Sequence, residues 1–367
     1  QQMLTEALEA GALGLSSGLF TAPGCFADRD ELRALGRVLK THGARYSSHI
    51  RDESHGVHEA VAEAIDIGEH CGVHVQIAHM KLSGTERWGE ADRMLAAIAA
   101  ARARGVDVHG DQYPYDWASN PLRFLLPTWL QEGGMAAMLE RLADPYVRSR
   151  IRQKIAEVGF NNFGQIESWA DIRISISPLG AAEPGRTIED IAQERHCDPL
   201  DAVCDVIIAD KGATRIVVRS MSEEDVRAIA ADPSALVGSD GTCVAPYGVT
   251  GQGKPHPRFY GTFPRLIGHY GRDLGLLTLP QAIFKMTGGA AAALGLADRG
   301  ILREGHAADV VMFDPATIID RATYDDPHQY PAGIGTVIVN GTVVIDGCEH
   351  TGALPGRLLR RRGTVLG

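Results

Sequence analysis

Two short stretches place an imidazole where a strand-like run gives way to the next segment: "ARYSSHIRDE" with His49 and "VHVQIAHMK" with His79. Tyr113 in "DQYPY" and Asp240 in "GSDG" fall at comparable strand ends. A single histidine in a strand is usually a satisfied core or surface group. Two at matching ends of successive strands, with an aspartate ending a later one, make a donor set suited to zinc and similar divalent ions, which accept imidazole nitrogen and carboxylate oxygen while keeping a position open for chemistry. Water on such an ion ionises near neutrality, and an adjacent carboxylate can take its proton and pass it to a leaving group.

For these side chains to meet, their strands must lie parallel and side by side. Strand-like runs recur as "ALGLSS" near 12–17, "ARYSSH" at 44–49, "VHVQIAH" at 73–79 and "VDVHGDQY" at 106–113. Helical periodicity separates them: Leu32, Leu35, Val38 and Leu39 after Asp30, then Val57, Ala60, Val61, Ala64 and Ile65 after Ser54, with closing glycines at Gly43 and Gly72. "WGEADRMLAAIAAARARG" repeats the form and ends at Gly105. Three such units imply a parallel sheet with right-handed crossovers, either doubly wound or closed into a barrel. No GxGxxG follows any strand, which weakens the dinucleotide-binding version. The expected fold is therefore an α/β barrel, whose strand ends gather on one face.

From about 120 to 212 the rhythm breaks, with Pro, Gly and Trp accumulating and "RLADPYVRSRIRQKIAE" reading as exposed, charged helix. An excursion of this length after a strand end is expected to be a lid. Regularity returns with "TRIVVRS", a helix start at Ser222 with Asp225 in capping-box spacing, and "ALVGSDG", read as a strand that ends at Asp240 and closes the barrel. After residue 300, "GHAADVVMFD" and "GTVIVNGTVVIDG" predict a small β-domain, with Asn340-Gly341 as a hairpin turn. The domain division is thus 1–300 and 301–367.

With 367 residues, 44% apolar and 22% charged, the chain can bury a large core. A net charge of -10 and the absence of a basic run argue against a nucleic-acid partner. Apolar runs such as "RIVV" fall far short of the about 20 residues needed to span a bilayer, so no membrane partner is expected and the cytosol is the expected location. Six cysteines without CxxC pairing point to reduced thiols. The opening "QQMLTEALEAGALGLSS" reads as a helix end feeding a strand, so the chain is expected to lack an N-terminal part.

The ordered set "GALGLSSGLF", "YSSHIRDE", "QIAHMK", "DQYPY", "GSDG", "HPRFYGTF" and "GHAADVVMFD…VNGTVV…PGRLLR" resembles the N-acyl-D-amino-acid deacylase (D-aminoacylase) branch of the amidohydrolase superfamily along nearly the whole chain outside the insertion. The resemblance implies a partial (β/α)8 barrel of strands four to eight, and one or two divalent ions, zinc foremost. It makes His49 and His79 metal ligands on the fifth and sixth strands. Asp240 becomes the eighth-strand aspartate, a metal ligand that serves as general base and then acid. Lys81, Tyr113 and Arg258 match groups that hold the carboxylate of a small N-acyl-D-amino acid, a task that suits two cations and a phenol.

Two features that the resemblance implies are absent: an HxH pair, His55 and His58 in "HGVH" being wrongly spaced, and a cysteine ligand from an early strand. "GALGLSS" ends in no Lys, Cys or Glu, which argues against the hydantoinase pattern of a fourth-strand bridging lysine. Cys25 reads as a small loop residue; Cys243 lies nearer the chemistry. His256 is read equally as site lining or packing, and Arg123 as an exposed charge or a contact for an acidic side chain. Three readings stay open: a deacylase, another amidohydrolase acting on cyclic amides or dipeptides, and an inert barrel fragment acting as a binding module; in any of them a homo-oligomer is a further expectation.

Overall fold

Helix starts in this chain follow its short acidic and hydroxyl side chains. Asp28 accepts from the backbone N–H of Glu31 to open one helix, and Ser222 accepts from Asp225 N–H to open another. The computed structural model describes residues 1–361.

After α1 (Gln2–Glu9), strands and helices alternate: β1 (Gly14–Gly18), α2 (Arg29–Thr41), β2 (Arg45–His49), α3 (Val57–Cys71), β3 (Val75–Ile77), α4 (Ala91–Ala103) and β4 (Val108–Gln112). All neighbouring pairs are parallel, with Ser17 opposite Ser48, Ser48 opposite Ile77, and Ile77 opposite Gly110. Strand alternation then sorts the side chains by face. Tyr46, Val75, Ile77 and Val108 pack with Leu32, Leu39, Ile67, Met94 and Ile98 of the helices, in the largest apolar cluster. Arg45, Ser47, His49 and Gln76 take the opposite, half-exposed face. The α3 helix begins later than Ser54 suggests, because that serine bonds Asp52 instead and Gly56 takes the cap position.

A second unit leaves directly after β4. The strands β5 (Trp117–Pro121), β6 (Ile172–Ile176) and β7 (Arg215–Arg219) form an antiparallel sheet in the order β5-β7-β6. The helices α5 (Gly134–Ala143), α6 (Pro145–Val158), α7 (Ile188–Arg195) and α8 (Pro199–Ala209) accompany it. The expected charged helix is α6, capped by Asp144, with Ile151 as its one buried residue. "TRIVVRS" supplies β7, so it pairs within this inserted sheet and not with the parallel one. Ile172, Ile174, Ile216 and Val218 turn one face onto Leu200, Val203 and Ile207 of α8, forming a separate core.

The chain returns through α9 (Glu223–Ala231) to β8 (Ala235–Val237), which pairs parallel with β4 and completes the order β1-β2-β3-β4-β8. β8 ends three residues before Asp240, whose φ of 46° takes the backbone out of the extended region. Then come α10 (Arg258–Arg265), a π-helical stretch over Leu266–Asp273, α11 (Leu279–Met286) and α12 (Gly288–Leu294). The last strands, β9 (Val310–Phe313), β10 (Ile334–Val339), β11 (Thr342–Asp346) and β12 (Glu349–His350), make a four-stranded antiparallel sheet. Asn340 and Gly341 join β10 to β11 with φ of 47° and 80°, the left-handed pair that a tight hairpin demands. The final six positions of the expected β-domain lie outside the described residues. No helix among the described residues is long and apolar enough to cross a membrane.

Candidate metal and carboxylate site

His49 is the last residue of β2, and its ring stacks on Phe20 at 4.2 Å. His79 lies two residues past β3 in a left-handed turn, with φ of 39°. Such a turn costs a side-chain-bearing residue energy, and Asp111 of β4 stabilises it: the His79 N–H donates to Asp111 Oδ1 at 2.8 Å, and Met80 N–H to the Asp111 carbonyl at 2.7 Å. Gln76 holds the other Asp111 oxygen at 2.8 Å.

The clamp turns the imidazoles edge to face, with centroids 4.5 Å apart and His49 Nδ1 3.0 Å from His79 Nε2. Tetrahedral zinc with bonds of about 2.0–2.1 Å separates two ring nitrogens by roughly 3.3 Å. The pair therefore fits one cation after a small opening. Burial holds His49 down to about 4, only partly offset by Glu53, so the ring stays in the neutral form that a metal needs.

Behind the rings sits Glu53, which the sequence reading passed over. It is 4% exposed. His49, Glu53 and His79 form the one cluster of three metal-ligating side chains found among the described residues, with donor atoms within 4.8 Å of one another. Glu53 Oε1 lies 3.1 Å from His79 Nδ1 and accepts from the Lys81 ammonium at 2.6 Å. Its Oε2 accepts from the Asn162 side-chain amide at 2.9 Å, while Asn162 Oδ1 takes the Glu53 N–H at 2.8 Å. Burial alone favours the neutral acid, but His49, Lys81 and His79 outweigh it and hold the carboxyl well below its usual range. Lys81 is pushed up: burial opposes its charge, and Glu53 more than restores it.

Asp240 stands outside the three-residue cluster. Its exposed carboxylate pairs with Arg258 Nη2 at 2.6 Å, and its charge is felt by His49, Lys81 and Tyr113. Arg258 is 4% exposed. Its guanidinium lies 4.4 Å over the Tyr113 ring, and both Nε and Nη1 are buried without a hydrogen-bond partner. Such orphaned donors are costly unless an acceptor arrives. Tyr113 also faces Lys81 Nζ at 5.4 Å.

His256 proves to be packing. Fully buried, it donates from Nε2 to the Trp117 carbonyl at 2.9 Å and accepts the Arg258 N–H on Nδ1 at 3.0 Å, so it fixes the start of α10. Arg123 donates to the Gly212 carbonyl at 2.7 Å and covers Phe124. Cys25 is half-buried and Cys243 exposed; neither belongs to the cluster.

The model of the amidohydrolase family matches residues 128–345, more than half the chain. The chain belongs to the amidohydrolase family. This amidohydrolase is 37% identical over 367 residues to the N-acyl-D-glutamate deacylase of Alcaligenes xylosoxydans xylosoxydans, covering 100% of this chain and 64% of that protein. It is 35% identical over 361 residues to the D-aminoacylase of the same organism, with 98% and 64% covered. A solved N-acyl-D-glutamate deacylase from Bordetella bronchiseptica, complexed with zinc and a phosphonate that mimics the tetrahedral intermediate, superposes with a TM-score of 0.76 at 35% identity, over 94% of this chain and 63% of that one. A D-aminoacylase crystal structure gives 0.77 at 35% identity, over 97% and 64%. The amidohydrolase chain thus spans a little under two thirds of these relatives.

Two residues of this amidohydrolase site were not foreseen. Glu53 had a local signal, a carboxylate four positions after His49 in "HIRDE". Asn162 had none, since it reaches Glu53 across 109 positions from within the insertion.

Proposed function

We propose that the protein hydrolyses the amide bond of N-acyl-D-amino acids to a D-amino acid and a carboxylate, as a metal-dependent enzyme of the cytosol. The relatives named as N-acyl-D-glutamate deacylase and D-aminoacylase support the reaction class. Six free thiols support the compartment. The observation that carries the reading is the pairing of two convergent imidazoles with a buried arginine whose donors lack acceptors, a cation site beside an anion site.

In this reading the parallel sheet represents strands four to eight of a (β/α)8 barrel, residues 1–300 form that domain with its lid, and 301–367 contribute to a small β-domain. The unmatched third of the relatives' length leaves room for the remaining strands and for further ligands. One or two zinc-like ions, held by His49 and His79 with Asp240 nearby, would supply a water nucleophile active near neutral pH and polarise the acyl carbonyl. Arg258, Lys81 and Tyr113 hold the substrate α-carboxylate. Once Asp240 releases Nη2, Arg258 offers Nη2 together with Nε or Nη1, both without a partner in this structure, as a two-pronged donor, which places the amide over the histidines. Asp240, freed from Arg258 as the substrate carboxylate takes over that guanidinium, accepts the proton of the attacking water and returns it to the departing nitrogen.

Asp240→Asn should abolish turnover of N-acetyl-D-amino acids while bound metal, measured by atomic absorption, is retained. Undiminished turnover removes the proton shuttle. A panel of D-forms, L-forms, hydantoins and dipeptides tests the substrate class, and preference for a cyclic amide would overturn it.

A further inference from the structure

We infer that Glu53 is a positioning residue serving both halves of the site, orienting His79 for the metal and holding Lys81 for the substrate, and that Asn162 ties it to the inserted unit. This rests on the metal-dependent reading above. The two oxygens divide the work: Oε1 faces His79 Nδ1 at 3.1 Å and takes the Lys81 ammonium at 2.6 Å, while Oε2 takes Asn162 Nδ2 at 2.9 Å and lies 3.7 Å from His49 Nε2. One carboxylate therefore stands behind both rings, whose opposite nitrogens meet at 3.0 Å.

Its charge and proximity would also suit a direct metal ligand, but the space it faces is taken. Lys81 Nζ lies 2.6 Å from Oε1 and 2.5 Å from His79 Nδ1, so a cation bound there would meet an ammonium at close range. The free side of the pair is the front, between His49 Nδ1 and His79 Nε2. A ring that offers Nε2 to a metal must carry its hydrogen on Nδ1, and that N–H needs an acceptor. In this structure the Lys81 ammonium, which can only donate, stands 2.5 Å from Nδ1 and meets its lone pair, so with Nε2 on a metal and the hydrogen on Nδ1 it must draw back toward Glu53. Glu53 Oε1 is the acceptor within reach.

The same carboxylate is the counterion that makes a buried lysine tolerable. Lys81 is 5% exposed, and its charge without Glu53 would be strongly penalised. Asn162, at φ of 61° in a tight turn of the insertion, completes the cradle by exchanging two hydrogen bonds with Glu53. Movement of the inserted unit would thus be felt at the metal ligand and at the substrate anchor together.

The test compares wild type, Glu53→Gln, Glu53→Ala and Asn162→Ala by zinc affinity, titrated against a chromophoric chelator, and by the His79 ring tautomer in the zinc-loaded protein, read from long-range 1H–15N NMR. Loss of an outer-shell partner typically costs 10- to 100-fold in metal affinity. About that loss is expected for Glu53→Ala, with smaller losses for Glu53→Gln, which keeps an acceptor oxygen, and for Asn162→Ala. Wild-type His79 should carry its hydrogen on Nδ1. KM should rise in both Glu53 variants, because Lys81 loses its counterion. If Glu53→Ala does not fold, as judged by circular dichroism, Glu53→Gln and Asn162→Ala carry the comparison. Zinc affinities all within twofold of wild type, or a hydrogen on Nε2 in the loaded protein, would overturn this inference alone. A wild-type protein that takes up no zinc would overturn it together with the metal reading.

Discussion

In the proposed reading, one buried guanidinium, that of Arg258, would carry most of the substrate binding. It has one carboxylate partner, one aromatic face and two unpaired nitrogens. A hydrogen bond to a charged group contributes about 1.5–3 kcal/mol, so Arg258→Met should raise KM roughly 10- to 150-fold. Because the proposed contact would be to a part of the substrate that does not react, kcat should change far less, as steady-state kinetics will show. Arg258→Lys should recover little, since an ammonium cannot present the planar fork. Asp111 makes the complementary case on the metal side. Asp111→Ala strips the acceptor from His79 N–H in a left-handed turn and should cost about 1–3 kcal/mol, measured by urea unfolding of the zinc-free protein. Asp111→Asn keeps an oxygen at that position and should lose much less.

Elements in this fold are joined by side chains as much as by sheet hydrogen bonds. Lys285 of α11 reaches into the gap between α9 and β8, donating to the Ala235 carbonyl at 2.7 Å and also to the Asp232 carbonyl. Burial lowers its pKa to about 8, partly opposed by Asp232. Because the folded protein binds this proton less tightly than the unfolded chain does, Lys285 opposes folding below pH 8. That cost is relieved as pH rises from about 8 toward its unfolded value near 10.5. The difference in unfolding free energy between wild type and Lys285→Met should therefore move in favour of wild type over that interval, by at most about 3 kcal/mol. A flat difference between pH 8 and 10 would show that the ammonium is fully solvated. The β10–β11 hairpin poses a simpler question, since Gly341 at φ of 80° resists any Cβ-bearing substituent; Gly341→Val should destabilise the small sheet and leave the helix-packed parallel sheet intact.

At the scale of the molecule, the parallel sheet has two edges. Among the described residues β1 pairs with β2 alone and β8 with β4 alone. The sheet face opposite α2–α4 borders a cavity of about 380 Å³ lined by Ser16, Ser47, Gln76, Asp111 and Val237. In the four-stranded sheet, Val311 and Met312 are 51% and 58% exposed. Unpaired strand edges and uncovered apolar faces favour association. The 367-residue polypeptide by itself should gain mass with concentration in sedimentation velocity, and a charge on the exposed edge, Ser16→Lys, should reduce that gain. A concentration-independent monomer would mean that these edges are protected.

Local pattern made much of this architecture legible. The rhythm of β1 to β4 with α2 to α4, the Ser222 cap and the Asn340-Gly341 turn are written in spacing and turn chemistry, because periodicity and capping depend on neighbours within a few positions. Motif order went further and singled out His49, His79, Lys81, Tyr113, Asp240 and Arg258 as groups to examine. Partner choice was not legible. "TRIVVRS" reads as a strand, but its apolar alternation names no neighbour, and only its pairing with β5 and β6, with Ile216 and Val218 buried in the same core as α8, assigns β7 to the inserted sheet. Likewise the sequence could not show that Glu53 stands behind both rings, that Asn162 grips it from 109 positions away, or that Asp240 rests on Arg258. Those contacts depend on which surfaces the whole chain buries together, and no short window of residues contains that sum.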